Sequence, residues 1–197
     1  TATYLLLRPE MSQEQRDQII NNIHTETIRL NALASSFLDL ARLESGRVQF
    51  RKASFSIADL IYECKDVMAS KAIEDNIQIR VESPERLPLI EADRDKLKQV
   101  LLNLLSNAIK YNRPNGTVML RAEETEKEIV IYIQDTGLGI PDESLPHLFQ
   151  KFFRVREHES RVAGTGLGLS ICKQIIHSHG GRIEFKSKLG VGTVFMV

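Results

Sequence analysis

The alternation of apolar and polar positions predicts one long helix in the first quarter of the chain. Between Ser12 and Ser45 there is no Gly or Pro, and apolar residues recur three and four positions apart along two overlapping seams. At 1.5 Å per residue this helix would be about 50 Å long. Two seams make an apolar stripe too wide for a single partner, which favours a four-helix bundle in which each helix contacts two neighbours.

The sequence does not supply the other helices of such a bundle. Only residues 1–11 precede the long helix, and Pro9 interrupts them. We therefore expect residues 1–48 to form half of a four-helix bundle, completed by another copy of the chain or by upstream sequence, and we predict a homodimer through these helices. Because the chain begins at Thr1 and ends inside a predicted strand, we expect it to be part of a longer protein.

Residues 54–197 alternate helices and strands and are predicted to form a second domain. Gly46 would cap the long helix, and "RVQFRKASF" would connect the two parts. Short alternating strands at 77–83, 87–92, 116–124, 128–135, 182–188 and 192–197 lie between helices predicted at 56–75, 93–111, 143–149 and 167–179. Helices among mostly antiparallel strands predict an α+β fold with a layer of helices on one sheet.

Composition narrows the classes of function. Of 197 residues, 42% are hydrophobic, as in a globular domain, and 26 basic residues balance 26 acidic ones. Zero net charge gives no general attraction to nucleic acid, and we expect no nucleic-acid partner. Apolar runs stay well short of the roughly 20 residues that cross a bilayer, so any membrane attachment would involve segments outside this sequence.

Cysteine and histidine spacing predicts neither a disulfide framework nor a metal cluster. Cys64 and Cys172 are far apart and lack a C-x-x-C spacing, which suggests a reducing compartment. Four of the histidines, at 147, 158, 177 and 179, are spread over several predicted elements. In "HSHGG" the imidazoles lie at a helix C-terminus, where they suit the helix dipole.

Two glycine motifs carry the first candidate chemistry: "DTGLGI" at residues 135–140 and "GTGLGL" at residues 164–169. Neither is a dinucleotide fingerprint or a P-loop, and either one alone could be a tight turn that needs positive φ. Asp135, however, ends an apolar strand, where a carboxylate needs donors such as the 6-amino group of adenine. The second motif opens a helix near Leu167, and N–H groups at a helix N-terminus favour phosphate.

The helix "VLLNLLSNAIKYN", residues 100–112, adds polar side chains on one line. Asn103 and Asn107 are four residues apart, and Lys110 follows three residues later. Amide oxygens suit Mg²⁺, which takes its other ligands from water and nucleotide phosphates, and lysine can neutralise a phosphate oxygen. The asparagines could instead cap or cross-link neighbouring loops, but beside the two glycine motifs the nucleotide interpretation is favoured.

The ordered series "NLLSNAIKY", "DTGLGI", "LFQKFFRV", "GTGLGL" and "GVGTVF" resembles the catalytic and ATP-binding domain of sensor histidine kinases of two-component systems. "LDLARLESGR" likewise resembles the end of their dimerisation helix. The resemblance implies a Bergerat-type α/β sandwich that binds ATP and Mg²⁺ between the asparagine-bearing helix and a mobile lid, "VREHESRVA". It also implies a cytoplasmic domain, which could be part of a membrane-bound sensor, and a response regulator that accepts the phosphoryl group on an aspartate.

The same resemblance implies roles for individual residues. Asn107 would bind magnesium with Asn103 beside it near the phosphates, Lys110 would contact phosphate, Tyr111 would flank the nucleotide and Asp135 would recognise adenine. The glycines would shape the base pocket (Gly137, Gly139) and the phosphate loop (Gly164, Gly166, Gly168), and the lid region would contribute Phe149, Phe152, Phe153 and Arg154, the last reaching the terminal phosphate. The remaining expected nucleotide-binding positions are Ile140, Thr165, Leu167, Leu169 and Thr193.

One departure from the family concerns the phosphoacceptor. These kinases phosphorylate a histidine that is followed by an acidic residue and a nearby proline, and "HTETIR" around His24 lacks both. We interpret His24 as a solvated helix residue and place the acceptor about 10 to 15 residues upstream of Thr1, from the length of a first bundle helix. We therefore expect this chain to bind ATP without phosphorylating itself.

Two other interpretations stay open. One is another Bergerat-fold ATPase, such as an anti-sigma-factor serine kinase, the ATPase part of a gyrase or a chaperone, although the dimerisation helix and short lid argue against it. The other is a degenerate kinase that serves as a nucleotide-binding dimeric scaffold, which the missing acceptor permits.

Overall fold

The computed structural model describes residues 12–82, 87–155 and 164–197. The expected segment before the long helix, with Pro9, the residues around Pro84, and nearly all of the expected lid lie outside these ranges. Helix α1 spans Gln13–Glu44. It begins with a capping box, in which the Ser12 hydroxyl accepts the Gln15 N–H and the Gln15 side chain accepts the Ser12 N–H. The predicted long helix is confirmed.

The described elements that follow α1 are strands, one or two at a time, separated by helices. The chain forms β1 (Lys52–Ser56), α2 (Ile57–Glu74), β2 (Gln78–Glu82), β3 (Leu89–Asp93), α3 (Arg94–Lys110), β4 (Thr117–Glu124), β5 (Ile129–Asp135), a 3₁₀ helix (Asp142–His147), α4 (Gly168–Ser178), β6 (Glu184–Lys188) and β7 (Gly192–Met196). The Ser56 hydroxyl accepts the Asp59 N–H and so caps α2.

The described strands form two sheets rather than the single sheet that was expected. One has the strand order β2-β4-β5-β7-β6, in which β2 and β4 are parallel and the other neighbours antiparallel. The other is the antiparallel pair β1 and β3, with Lys52 opposite Asp93. The prediction that "RVQFRKASF" is only a connection was wrong, because it contains the start of β1. The short helix predicted at 143–149 is a 3₁₀ helix with Pro146 inside it.

Helices α2, α3 and α4 and the large sheet share one hydrophobic core. The inward face of β4 shows period-two burial at Val118, Leu120 and Ala122. The last turn of α1 belongs to this core through Leu40 and Leu43, and α1 contacts α4. The rest of α1 leaves large apolar side chains exposed, namely Ile20, Ile28, Leu30, Phe37 and Leu38.

Candidate nucleotide site

A cavity of about 320 Å³ lies between α3, the start of α4 and the ends of β5 and β7. It brings together most of the predicted positions: Asn103, Asn107, Lys110, Tyr111, Asp135, Gly139, Ile140, Arg154, Gly164, Thr165, Gly166, Gly168, Leu169 and Thr193. Gly137 and Leu167, which are both buried, are not among the residues that line it. The wall also contains residues of the quoted motifs that were not named as nucleotide-binding positions: Ser106, Ala108, Leu148, Phe153, Val155 and Phe195.

Asp135 is the acidic group at one end of the cavity. It ends β5 and is 8% exposed. Its Oδ1 accepts the N–H groups of Gly137 at 2.8 Å and Thr193 at 3.2 Å. Burial raises the pKa of this carboxyl to about 6, against the two hydrogen bonds, which lower it. Since both bonds from described residues end at Oδ1, Oδ2 can accept a donor from a ligand, as the exocyclic amine of adenine would be.

The glycines of the first motif permit close backbone approach beside this carboxylate. A Cβ on Gly137 would lie 2.4 Å from the carbonyl oxygen of Tyr111. Gly139 has a φ of 67°, and a Cβ there would lie 2.0 Å from the carbonyl oxygen of Lys188. The motif is therefore a tight turn that also borders the cavity. It needs glycine at both positions because a side chain would not fit between the end of α3 and the β6–β7 hairpin.

Ser187 supports this end of the cavity and was missed by the sequence reasoning. Its hydroxyl oxygen accepts the Ile140 N–H at 2.9 Å and lies 2.8 Å from the Thr193 hydroxyl. It is also 3.1 Å from the carbonyl oxygen of Gly192, which accepts from it. Ser187 thus joins the first glycine motif to β7. The signal for it is slight: a single small polar residue on the half-buried face of β6.

Asn103 connects the two helices that border the other end of the cavity. Its Nδ2 donates to the Sγ of Cys172 in α4 at 3.4 Å. A Cβ on Gly168 would lie 2.6 Å from the Asn103 amide, so any larger residue here would have to displace that side chain. Asn103 is therefore both a cavity residue and a cross-link between helices, and the two interpretations of this asparagine are compatible. Asn107 lines the cavity one helical turn later.

Positive charges converge beside the start of α4. A Cβ on Gly164 would lie 3.1 Å from the Lys110 Nζ, which is 5.6 Å from the centre of the Tyr111 ring. Burial lowers the pKa of Lys110, and the charges of Arg154 and Lys71 lower it further. Burial raises the pKa of Tyr111, against the effect of Arg154. An anion at this end would offset the repulsion between Lys110 and Arg154, so the site is suited to phosphate.

Comparison with known proteins decides the family of this chain. Residues 92–197 match the family model described as histidine kinase-, DNA gyrase B-, and HSP90-like ATPase. The matched region includes α3, both glycine motifs and β7. The chain belongs to this ATPase family. The matched residues also contain every side chain of the cavity described above.

Individual proteins similar to this chain include histidine kinases. The chain is 35% identical over 187 residues to the circadian input-output histidine kinase CikA of Synechococcus elongatus, an alignment covering 93% of this chain and 25% of CikA. Full-length ShkA in complex with AMPPNP has a TM-score of 0.80 at 28% identity, covering 99% of this chain and 41% of ShkA. The histidine kinase ThkA in complex with the response regulator TrrA has a TM-score of 0.71 at 28% identity, covering 96% and 51%.

These likenesses confirm the predicted family and fold. The chain is a sensor histidine kinase catalytic domain of the Bergerat fold, preceded by a long helix. It spans about a quarter of the length of the curated relative CikA.

The segments that flank the expected lid are joined by a backbone hydrogen bond beside this ATPase domain's cavity. The Phe152 N–H donates to the carbonyl oxygen of Gly166 at 2.9 Å. Phe152 has a φ of 62°, a strained value for a bulky residue, and a Cβ on Gly166 would lie 2.7 Å from its carbonyl carbon. Phe149 packs against Phe185 and Phe153 against His147, as anchors would, whereas Phe152 is 52% exposed. Residues 156–163, including His158, lie outside the described residues.

Other predicted features have plain positions. His24 is exposed on α1, as expected of a solvated helix residue. Cys64 and Cys172 are buried thiols, and burial raises their pKa values to about 11 and about 12. Within the described ranges, His, Cys, Asp and Glu side chains form no group of three or more that could hold a metal ion. No helix in the described part of the chain is both long and apolar enough to span a bilayer.

Proposed function

We propose that this chain is the ATP-binding core of a protein histidine kinase that transfers the γ-phosphoryl group of ATP to a histidine. The observation that carries the proposal is the chemical polarity of the cavity. A buried carboxylate, Asp135, lines it beside the first glycine motif, whereas Lys110 and Arg154 line it with Gly164 and the start of α4. This order matches a molecule with an amine-bearing base at one end and a chain of phosphates at the other.

Each end of the cavity contributes through groups of this chain. Asp135 accepts the exocyclic amine of adenine, while Gly139 and Ile140 form the adjoining wall. Lys110 and Arg154 neutralise phosphate oxygens, and Asn107 supplies an amide oxygen to Mg²⁺. Magnesium, when bound, offsets the charge of the phosphates. Positioning and charge neutralisation are the main contributions a protein makes to phosphoryl transfer.

The acceptor histidine belongs, in this proposal, to sequence before residue 1. His24 lacks the neighbouring acid and proline, so the chain by itself binds ATP and does not autophosphorylate. The apolar side chains exposed on α1 support a homodimer, with residues 1–48 as its dimerisation part and 54–197 as the ATP-binding domain. The similarity to ThkA, found in complex with a response regulator, supports transfer to a regulator aspartate. The domain would act in the cytoplasm, where ATP is available.

The proposal is tested on the full-length protein with labelled ATP. We expect a phosphoryl bond that is labile in acid and stable in alkali, and we expect Asn107→Ala to abolish it. Lys127→Ala, at an exposed position between β4 and β5 and away from both the cavity and α1, is the control and should leave labelling unchanged. An acid-stable product would support a serine kinase, and nucleotide binding without any labelling would support a scaffold. Either outcome contradicts the proposal.

A further inference from the structure

The imidazole of His179 lies where several segments of the chain meet, away from the cavity. Its Nε2 is 3.1 Å from the backbone nitrogen of Asp93, and its Nδ1 is 2.8 Å from the carbonyl oxygen of Ile175. An N–H can only donate and a carbonyl oxygen can only accept. Nε2 therefore carries the lone pair that accepts from Asp93, and Nδ1 carries the hydrogen that is donated to Ile175.

Asp93 extends these contacts to two more segments. Its Oδ1 accepts the Lys96 N–H at 3.1 Å and so caps α3. Its Oδ2 accepts the Arg51 N–H at 2.8 Å, in the connection between α1 and β1. The ring of Phe50, in the same connection, meets the His179 ring edge-on with centres 4.8 Å apart. The end of α4, the start of α3 and the segment after α1 are thus joined within one cluster.

The same two helices are in contact at the cavity. His179, at the end of α4, meets Asp93, at the start of α3, whereas Gly168, at the start of α4, abuts Asn103. Helices α3 and α4 are therefore antiparallel. Cys172, in α4, adds a second contact with Asn103, in α3. Because Gly168 lies directly against the Asn103 amide and both residues line the cavity, a small shift of α4 along α3 moves this amide and so changes the cavity there.

We propose that His179 is a positioning residue for the nucleotide site, which holds α4 in register with α3 and with the segment after α1. Gly168 is 11 residues from His179, about 16 Å along a helix. His179 therefore acts on the phosphate end of the cavity through α4 and does not touch the nucleotide. This inference rests on the proposed nucleotide binding.

Two amide substitutions separate the two hydrogen bonds of the imidazole. The terminal atoms of glutamine reach the position of Nε2, so His179→Gln can still accept the Asp93 N–H. Those of asparagine reach only the position of Nδ1, so His179→Asn can keep the bond to Ile175 but leaves the Asp93 N–H without its acceptor. His177→Asn, at an exposed position on the same helix end, is the matched control.

The main measurement is ADP affinity by calorimetry, well below each variant's unfolding temperature. We expect His179→Asn to bind ADP at least about five-fold more weakly, within the usual range for coupling between distant sites. His179→Gln and His177→Asn should stay within about two-fold of the unsubstituted chain, a margin smaller than that range. Long-range ¹⁵N–¹H spectra of the unsubstituted chain should show the His179 proton on Nδ1.

Several outcomes would overturn the inference. The first is an ADP affinity of His179→Asn equal to that of the unsubstituted chain. The second is a five-fold loss of ADP affinity in His179→Gln. The third is a spectrum that places the ring proton of His179 on Nε2. A variant that loses thermal stability but keeps its affinity would make His179 merely structural, which also contradicts the proposal. If His179→Asn does not fold, the glutamine variant and the spectrum still decide. Failure of the unsubstituted chain to bind ADP would instead refute the proposed function, while the spectrum would still test the hydrogen bonds.

Discussion

Replacing Asp135 by asparagine should weaken the binding of adenine nucleotides and remove the pH dependence of that binding. The carboxylate is buried and has Oδ2 available for a ligand donor, so the substitution exchanges a charged acceptor for a neutral amide. Hydrogen bonds to charged groups contribute about 1.5 to 3 kcal/mol, which corresponds to a loss of about ten-fold or more in affinity. The amide oxygen of the new side chain could still accept from Gly137 and Thr193, so the fold should survive.

The pH dependence follows from the raised pKa of Asp135. Since burial raises this pKa to about 6, the carboxyl is protonated below that pH, and the adenine amine then loses its acceptor. ADP affinity should therefore rise with pH through about 6 and level off above it. The free energy of unfolding without ligand should change in the opposite direction and fall as pH rises. Between the ordinary carboxyl pKa of about 4 and the folded value, the folded state binds more protons, so this group's contribution to the unfolding free energy falls as pH rises.

Calorimetric titration with ADP from about pH 5 to pH 8 tests the predicted rise in affinity with pH. Urea unfolding of each variant tests the predicted change in the free energy of unfolding. The shift of roughly 2 pKa units corresponds to about 3 kcal/mol, so Asp135→Asn should raise the unfolding free energy at neutral pH by up to that amount. Asp142→Asn, at an exposed position just beyond the first glycine motif, is the control. Unchanged ADP affinity in folded Asp135→Asn, or an equal loss in the control, would refute the assignment of this carboxylate to adenine.

Three further predictions concern other parts of the chain. Gly168→Ala would place a Cβ 2.6 Å from the Asn103 amide. Urea unfolding should then show a free energy of unfolding lower by about 1 to 3 kcal/mol, and calorimetry should show weaker ADP binding. An unchanged free energy and affinity would contradict the close contact. Lys110→Gln should weaken ADP by about ten-fold in calorimetry and leave adenosine unaffected, whereas an equal loss for adenosine would remove lysine from the phosphates. Phe37→Asp on exposed α1 should shift sedimentation from dimer to monomer, and a persisting dimer would argue against an interface there.

The sequence predicted those features whose signal is local. The long helix α1 follows from apolar spacing and its capping residues, and the cavity from motifs that each end or begin a helix or strand. Asp135 and Gly168 could be assigned to opposite ends of a site because a strand end and a helix start offer different chemistry. The family resemblance then predicted that they belong to one nucleotide site, and in the structure both residues line one cavity.

The features that the sequence did not reveal depend on partners distant in the chain. Strand β1 is short and mostly exposed, and it exists because it pairs with β3, which follows it only after the whole of α2 and β2. Asn103 was correctly placed on the helix face, but its contacts with Cys172 and Gly168 require knowing how α4 packs. Ser187 and His179 carry no motif, and their roles arise only from the groups that the fold places within hydrogen-bond distance.

The arrangement of the cavity implies that its two ends respond differently to a displacement of α1. The base end is formed by Asp135, the first glycine motif and the β6–β7 hairpin, whose mutual hydrogen bonds involve no residue of α1 within the described ranges. The phosphate end depends on α4, which α1 contacts, and Glu44 at the end of α1 pairs with Lys151 beside Phe152 at 2.8 Å. A displacement of α1 should therefore change the binding of phosphates more than that of adenosine. Because an exposed ion pair contributes only about 0 to 1 kcal/mol, the packed contact between α1 and α4 should carry most of this effect.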